Sequence, residues 1–167
     1  FTNCTSEGNS LYGFYATNGG KLYNCVDKDV GAGKTDYTYR KPASYYSIPC
    51  RSTNPSLVME NCTSIDSHGY GLQVDLASNV QIQNFHLENP AGIDGKGASL
   101  GGTNGQFGDS SVDITASGDR VDTLVFAKNN QNVQYTGEIT SDSARAFLVE
   151  GGQNVQTAGM KVVPAGQ

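Results

Sequence analysis

The residues best suited to chemistry fall in one short run, Asp66-Ser67-His68-Gly69, with Asp75 seven positions after the histidine. A histidine beside a carboxylate can take or give a proton near neutral pH. Asp66, His68 and Asp75 are therefore the candidate catalytic residues, and a hydrogen-bonded turn is the other reading of the same run. A second group carries binding chemistry: Tyr37, Tyr39, Arg40, Tyr45 and Arg51. Tyrosine offers a flat apolar face with a polar edge, which suits a sugar ring. Arginine pairs with carboxylates through a bidentate fork. Five of the eleven basic residues lie between Lys28 and Arg51, although the chain carries a net charge of −5. A loop folded over a neighbouring subunit, or over the chain itself, is the competing reading.

Other motifs carry less. Gly31-Ala32-Gly33-Lys34-Thr35 looks like the end of a phosphate-binding loop, but Lys28 stands where the first glycine is needed, and no helix follows. The four cysteines form no CxxC pair, so no metal is expected, and no cofactor either. Cys4, Cys25 and Cys62 share one inward column and read as stacked buried thiols; a Cys4–Cys25 disulfide between neighbouring layers is the geometric alternative. Asn3-Cys4-Thr5 and Asn61-Cys62-Thr63 match a glycosylation sequon, but both asparagines are better explained by the repeat below. His86 with Glu88 reads as a surface pair.

What must position these residues is a repeat. Gln131-Asn132-Val133-Gln134 returns as Gln153-Asn154-Val155-Gln156 after 22 residues, and Asn79-Val80-Gln81 is a partial copy. Asn3-Cys4-Thr5-Ser6 returns as Asn61-Cys62-Thr63-Ser64, with Asn24-Cys25 between them and Asn84-Phe85 after them. The spacings are 21, 37 and 23 residues, so the middle interval holds one repeat plus an insertion of about fifteen residues. This insertion is placed at 27–45. A second irregular stretch, 89–111, is rich in glycine and reads as one weak repeat or a loop.

A second set of segments runs in phase with the asparagines: 12–16, 46–50, 70–74, 124–127 and 146–149. Their alternation predicts two inward columns. One is Phe14, Ile48, Leu72, Val125 and Phe147; the other is Ala16, Cys50, Val74, Ala127 and Val149. No window shows a capped 3.6-residue period. Short strands, three per repeat of about 22 residues, cannot bury their own inner faces and must stack. Asparagine accepts the left-handed backbone of a tight turn, and its amide can bond the asparagine in the next layer. The Asn3, Asn24, Asn61, Asn84 column therefore reads as an asparagine ladder.

With this column and the motif Leu72-Gln73-Val74 … Asn79-Val80-Gln81-Ile82-Gln83-Asn84, the chain resembles the right-handed single-stranded parallel β-helix superfamily of pectate lyases, polygalacturonases and phage tailspikes. The resemblance implies an all-β solenoid of about six rungs spanning residues 1–167 as one domain. It places the asparagine ladder at the turn between the second and third sheets. It makes the segments at 12–16, 46–50, 70–74, 124–127 and 146–149 the first sheet, on which family enzymes usually hold their substrate. Asp66-Ser67-His68-Gly69 is similar to the His-Gly segment of polygalacturonases, whose paired aspartates and Arg-Ile-Lys motif are absent here.

The chain starts at Phe1 with no leader and offers no capping helix, so a piece of a longer chain, or of an assembly, is expected. Three functions follow as expectations. The first is a tailspike-like virion fibre, extracellular or virion-borne and homotrimeric, that recognises, with or without cleaving, a bacterial surface polysaccharide. The second is a secreted polysaccharide lyase, epimerase or hydrolase, and the third a non-catalytic structural or adhesive solenoid. The negative net charge argues against nucleic acid as a partner. No apolar run approaches the ~18 residues of a spanning helix, so no membrane insertion is expected.

Overall fold

The computed structural model describes residues 1–16, 19–33, 41–47, 57–101 and 107–166. Among them every regular element is a strand. In chain order these are β1 (Thr5–Glu7), β2 (Tyr12–Ala16), β3 (Gly20–Tyr23), β4 (Val26–Lys28), β5 (Ala43–Ser47), β6 (Leu57–Glu60), β7 (Thr63–Ile65) and β8 (Tyr70–Val74). They continue as β9 (Ala77–Ser78), β10 (Val80–Glu88), β11 (Lys96–Leu100), β12 (Phe107–Ser117), β13 (Thr123–Lys128), β14 (Asn130–Thr140), β15 (Phe147–Glu150) and β16 (Gln153–Val163). All strands pair in parallel, in two sheets that do not close into a barrel. The chain passes back and forth between a six-stranded sheet, ordered β2-β5-β8-β11-β13-β15, and a ten-stranded one. Spatial neighbours in the smaller sheet are thus the same segments of successive repeats. This is the solenoid-like β architecture that the 22-residue period predicts.

The register carries the side-chain columns. Phe14, Tyr45, Leu72, Ala98, Val125 and Phe147 stand one above another across the six-stranded sheet. Ala16, Ser47, Val74, Leu100, Ala127 and Val149 form the next inward column. Apart from Ser47, both belong to one continuous apolar core. The expected strand at 46–50 is a correction: the strand is β5, three residues earlier, with Tyr45 in the place given to Ile48. Ile48 and Cys50 lie outside the described residues. Tyr45 is 2% exposed, stacks on Phe14 at 5.1 Å, and meets Phe85 edge-on at 5.2 Å. Its hydroxyl lies 2.8 and 2.9 Å from the carbonyls of Cys25 and Thr63, which share its one proton. A tyrosine so placed combines a large apolar contact with a satisfied polar tip, and it has no face left for a substrate.

The insertion is also divided differently. Phe14 to Tyr45 spans 31 residues and Leu22 to Met59 spans 37. About nine extra residues therefore precede β5 and six follow it. The glycine-rich stretch is a full repeat, since β11 and β12 pair on both sides. Gly97 is needed there because a Cβ would stand 2.7 Å from Pro90 Cγ and 3.0 Å from the Leu124 carbonyl.

Asn3, Asn24, Asn61 and Asn84 are all left-handed, with φ between 52° and 56°. Their amides form the expected ladder, each Nδ2 donating to the Oδ1 of the layer before at 3.1, 3.1 and 2.8 Å. The ladder lies within the ten-stranded sheet, where it separates β3 from β4 and β6 from β7. In β10 the strand runs on through the corner. In β12 and β14 no left-handed residue stands at this level, and Asp113 and Thr136 take its place in register. The second and third sheets expected from the resemblance are thus joined into one. Two more ladders mark other corners. Asn132 donates to Asp109 and Asn154 to Asn132 at 3.1 and 2.9 Å, and Asn89 donates to Asp66 at 2.9 Å.

Cys4, Cys25 and Cys62 are free thiols. Phe85 continues their column. Burial pushes the Cys62 thiol up to about 11.

Candidate functional site

Alternation assigns Phe14 and Ala16 to the core, so Tyr15 between them points outward. Tyr46 and Gln73 follow in register on the next two strands. Tyr12, at the start of β2, also lies on the outer side. Its ring stacks on Tyr46 at 4.7 Å with planes 5° apart. Tyr15 closes the group, 5.6 Å from Tyr12 and 5.5 Å from Tyr46, and remains 45% exposed. Tyr70, Ala43 and Ile93 form a small buried cluster against which Tyr12 and Tyr46 pack. Three tyrosines on a flat sheet face, backed by packing, form a rigid aromatic platform.

Asp75 borders the platform just beyond β8. Its backbone N–H donates to Ser47 O at 3.4 Å, which fixes the turn. Burial raises its carboxyl above the ordinary range, against hydrogen bonds from the Gln73 and Tyr46 side chains. Tyr70 is pushed up to about 12, first by burial and then by the charges of Asp94 and Asp75. Asp94 is tied to Lys41 at 3.1 Å. Further along the face, Lys96 lies 4.4 Å above the Phe126 ring. The face thus presents an apolar aromatic area, an amide and a carboxyl already oriented by a phenol.

The three catalytic candidates are not brought together. Asp66 has φ 52° and accepts from Asn89, so it is a corner residue. His68 sits on the same side, with Nε2 4.0 Å from Asp29 Oδ1. Asp75 lies beyond the other end of β8, and four steps of strand at ~3.3 Å put about 13 Å between the two groups. No proton can pass directly between them. Tyr37, Tyr39 and Arg40, with the segment 34–40, and Arg51, with the segment 48–56, lie outside the described residues. The two segments flank β5, the strand that carries Tyr46. Tyr45 belongs to the core, as above. His86 forms the expected pair with Glu88 at 3.5 Å, and its Nδ1 is 2.9 Å from Thr115 Oγ1.

Tyr12, Tyr15, Tyr46 and Gln73 were not among the sequence candidates. Their signal was present: Tyr15 occupies the outward phase between two core residues. The shifted frame for β5 matched Tyr46 to Tyr12 rather than to Tyr15, and so hid the cluster. Among the described residues no group of three His, Cys, Asp or Glu side chains is placed to hold a metal ion.

Chemically, the site can lay an aromatic surface against the apolar face of a ring while Gln73 and Asp75 bond its hydroxyls. A glycosidase needs two carboxyl groups across the scissile bond, and Asp75 is the carboxyl in contact with the tyrosine cluster. Comparison with protein-family models, curated proteins and solved structures finds no match.

Proposed function

We propose that the chain is a right-handed parallel β-helix of about six rungs, of the tailspike-like kind, that recognises a bacterial surface polysaccharide on the outer face of its six-stranded sheet. The observation that carries this reading is the Tyr12, Tyr15, Tyr46 platform with Asp75 and Gln73 at its edge. Tyrosines held by packing lose little conformational freedom on binding, and stacking on a sugar tolerates variation in the glycan. The segments 34–40 and 48–56, with Tyr37, Tyr39, Arg40 and Arg51, leave from the two ends of the strand bearing Tyr46. Tyr37 and Tyr39 would offer further aromatic faces, and Arg40 and Arg51 cationic groups, to an acidic sugar. A virion-borne or extracellular homotrimer fits this role.

One observation favours a second reading, a secreted enzyme acting on polysaccharides. Asp75 is a half-buried carboxyl with a raised pKa beside a phenol, the environment of a general acid. Glycan-array binding by the full chain tests the main reading. Capsular or O-antigen polysaccharides should bind, and Tyr15→Ala with Tyr46→Ala should weaken binding at least tenfold, about 1.4 kcal/mol. Unchanged affinity in the double variant would remove the platform from the function. Release of reducing ends or unsaturated products, abolished by Asp75→Asn, would favour the enzyme.

A further inference from the structure

The outer face of the ten-stranded sheet carries a groove of about 300 Å³ that the tyrosine face does not share. Its origin is a change in strand path. The β6–β7 segment turns sharply at Asn61, and β10 bends at Asn84, both left-handed. β12 and β14 carry no left-handed asparagine or aspartate at the same level. The mismatch appears as one extra residue on β10: Ile82 pairs with Val112, but Phe85 pairs with Ile114. Such bulges re-aim side chains and often sit beside functional sites.

The walls are mostly polar, with Val58, Ile82 and Val112 among them. Glu60 and Gln83 are register partners on the bent side. Asp113 faces them from β12, one oxygen accepting from the Asn84 N–H at 3.0 Å and the other from the Thr136 hydroxyl at 2.9 Å. Gln81 and Gln134 stand in a single outward column, separated by Ser111. A carboxamide offers a donor and an acceptor side by side, which matches adjacent hydroxyls. No lysine or arginine lines the groove. Two carboxylates without a cation disfavour phosphate, sulfate or an acidic sugar.

We infer that this groove is a second, independent binding site, and that it takes an uncharged polyhydroxylated chain, a neutral oligosaccharide. The inference does not rest on the tyrosine platform, and a single array experiment separates the two. The full chain, Gln83→Ala/Gln134→Ala and Tyr15→Ala/Tyr46→Ala are each applied to an array of neutral oligosaccharides. At least one neutral oligosaccharide should bind, persist in the tyrosine variant, and weaken tenfold or more in the glutamine variant. The glutamines are exposed, so the variant should melt with the wild type. As a check without substitutions, that oligosaccharide should shift the side-chain amide NMR signals of Gln83 and Gln134 in the wild-type chain.

Three results would overturn the site: no binding of any neutral oligosaccharide, equal binding by the glutamine variant, or loss of all binding in the tyrosine variant. Calcium chloride that shifts those amide signals, with no effect of oligosaccharide, would overturn it in favour of a cation site. A glycan lost only in the glutamine variant would keep this site even if the tyrosine platform proved idle.

Discussion

Asp27 is the most informative residue to change. It is 0% exposed, and neither of its carboxyl oxygens has a hydrogen-bond partner. Oδ1 is tucked against Gly13, where a Cβ would lie 2.1 Å away. Ser44 and Ser6 lie close enough to favour the ionised form, but not at bonding geometry; the Ser44 hydroxyl is 2.8 Å from that of Ser64 instead. Desolvation dominates and raises the carboxyl above its ordinary range. An unsatisfied buried polar group costs about 1–3 kcal/mol, and more when charged. Asp27→Asn keeps the volume and removes the ionisation. The amide remains a buried polar group, so only the added cost of the charge is relieved, on the order of 2 kcal/mol at pH 8. At ~2–4 °C per kcal/mol for a chain of this size, the melting temperature should rise by roughly 4–8 °C. The sign with pH follows from linkage. A folded pKa above the unfolded value gives wild-type stability that is present below the unfolded pKa and is lost as pH rises through the folded one. The advantage of the Asp27→Asn variant should therefore be small near pH ~3.5 and grow to a plateau as pH rises. Thermal unfolding by circular dichroism from acid to mildly alkaline pH measures it. Equal melting curves at every pH, or a wild type that is more stable under alkaline conditions, would refute the reasoning and mean that the carboxylate is ionised and satisfied in the core.

Tyr45→Phe should lower stability by about 1 kcal/mol, because the one hydroxyl proton shared by the Cys25 and Thr63 carbonyls is lost while Cys25 O keeps the Thr63 N–H; urea unfolding reads this, and an unchanged midpoint would mean that the hydroxyl contributes nothing. Asn61→Ala should cost about 1–3 kcal/mol, since it puts a β-carbon without a compensating amide at φ 56° and breaks the ladder on both sides. Asn61→Gly should cost less, and the reverse order would mean that the left-handed backbone imposes no penalty on alanine. Cys4, which is partly exposed, should react with a thiol reagent before Cys25 and Cys62, which are buried. Peptide mass spectrometry after timed labelling reads the order, and prior labelling of Cys62 would contradict the buried column.

The parts of the fold written in large apolar letters were readable in the sequence. Phe14, Leu72, Val125 and Phe147 fall in one phase, and the asparagines announce a corner because few other residues accept that backbone. The frame of β5 was not readable from alternation alone, since residues 43–47 and 46–50 both alternate. Pro49 was the clue, because a strand paired on both sides cannot spare an N–H. The repeat at β11 was hidden because Gly97 and Ser99 leave only Ala98 and Leu100 as apolar signal. Space that side chains would fill elsewhere is taken there by Pro90 and Leu87. Asp27 was invisible for a similar reason, as a charged letter in an inward phase. Residue type alone makes Asp75 stand out, but nothing in the seven-residue spacing from His68 shows that the whole of β8 lies between them. The platform needed knowledge of which tyrosines face out, and that depends on register.

The inward column that holds Asp27 has a direction. From one end it reads Ser6, Asp27, Ser64, then Leu87, Ala116, Ile139. In a stacked architecture each layer is stabilised mainly by the layers it touches, and stability sums over neighbours. The hydroxyl and carboxyl half of this column gives its layers less hydrophobic gain than the leucine and isoleucine half. Assembly of the stack is thereby polarised. Order should start among β10 to β14 and travel toward β1 by adding one layer at a time, and the first amide protons to exchange should be those of the layers added last.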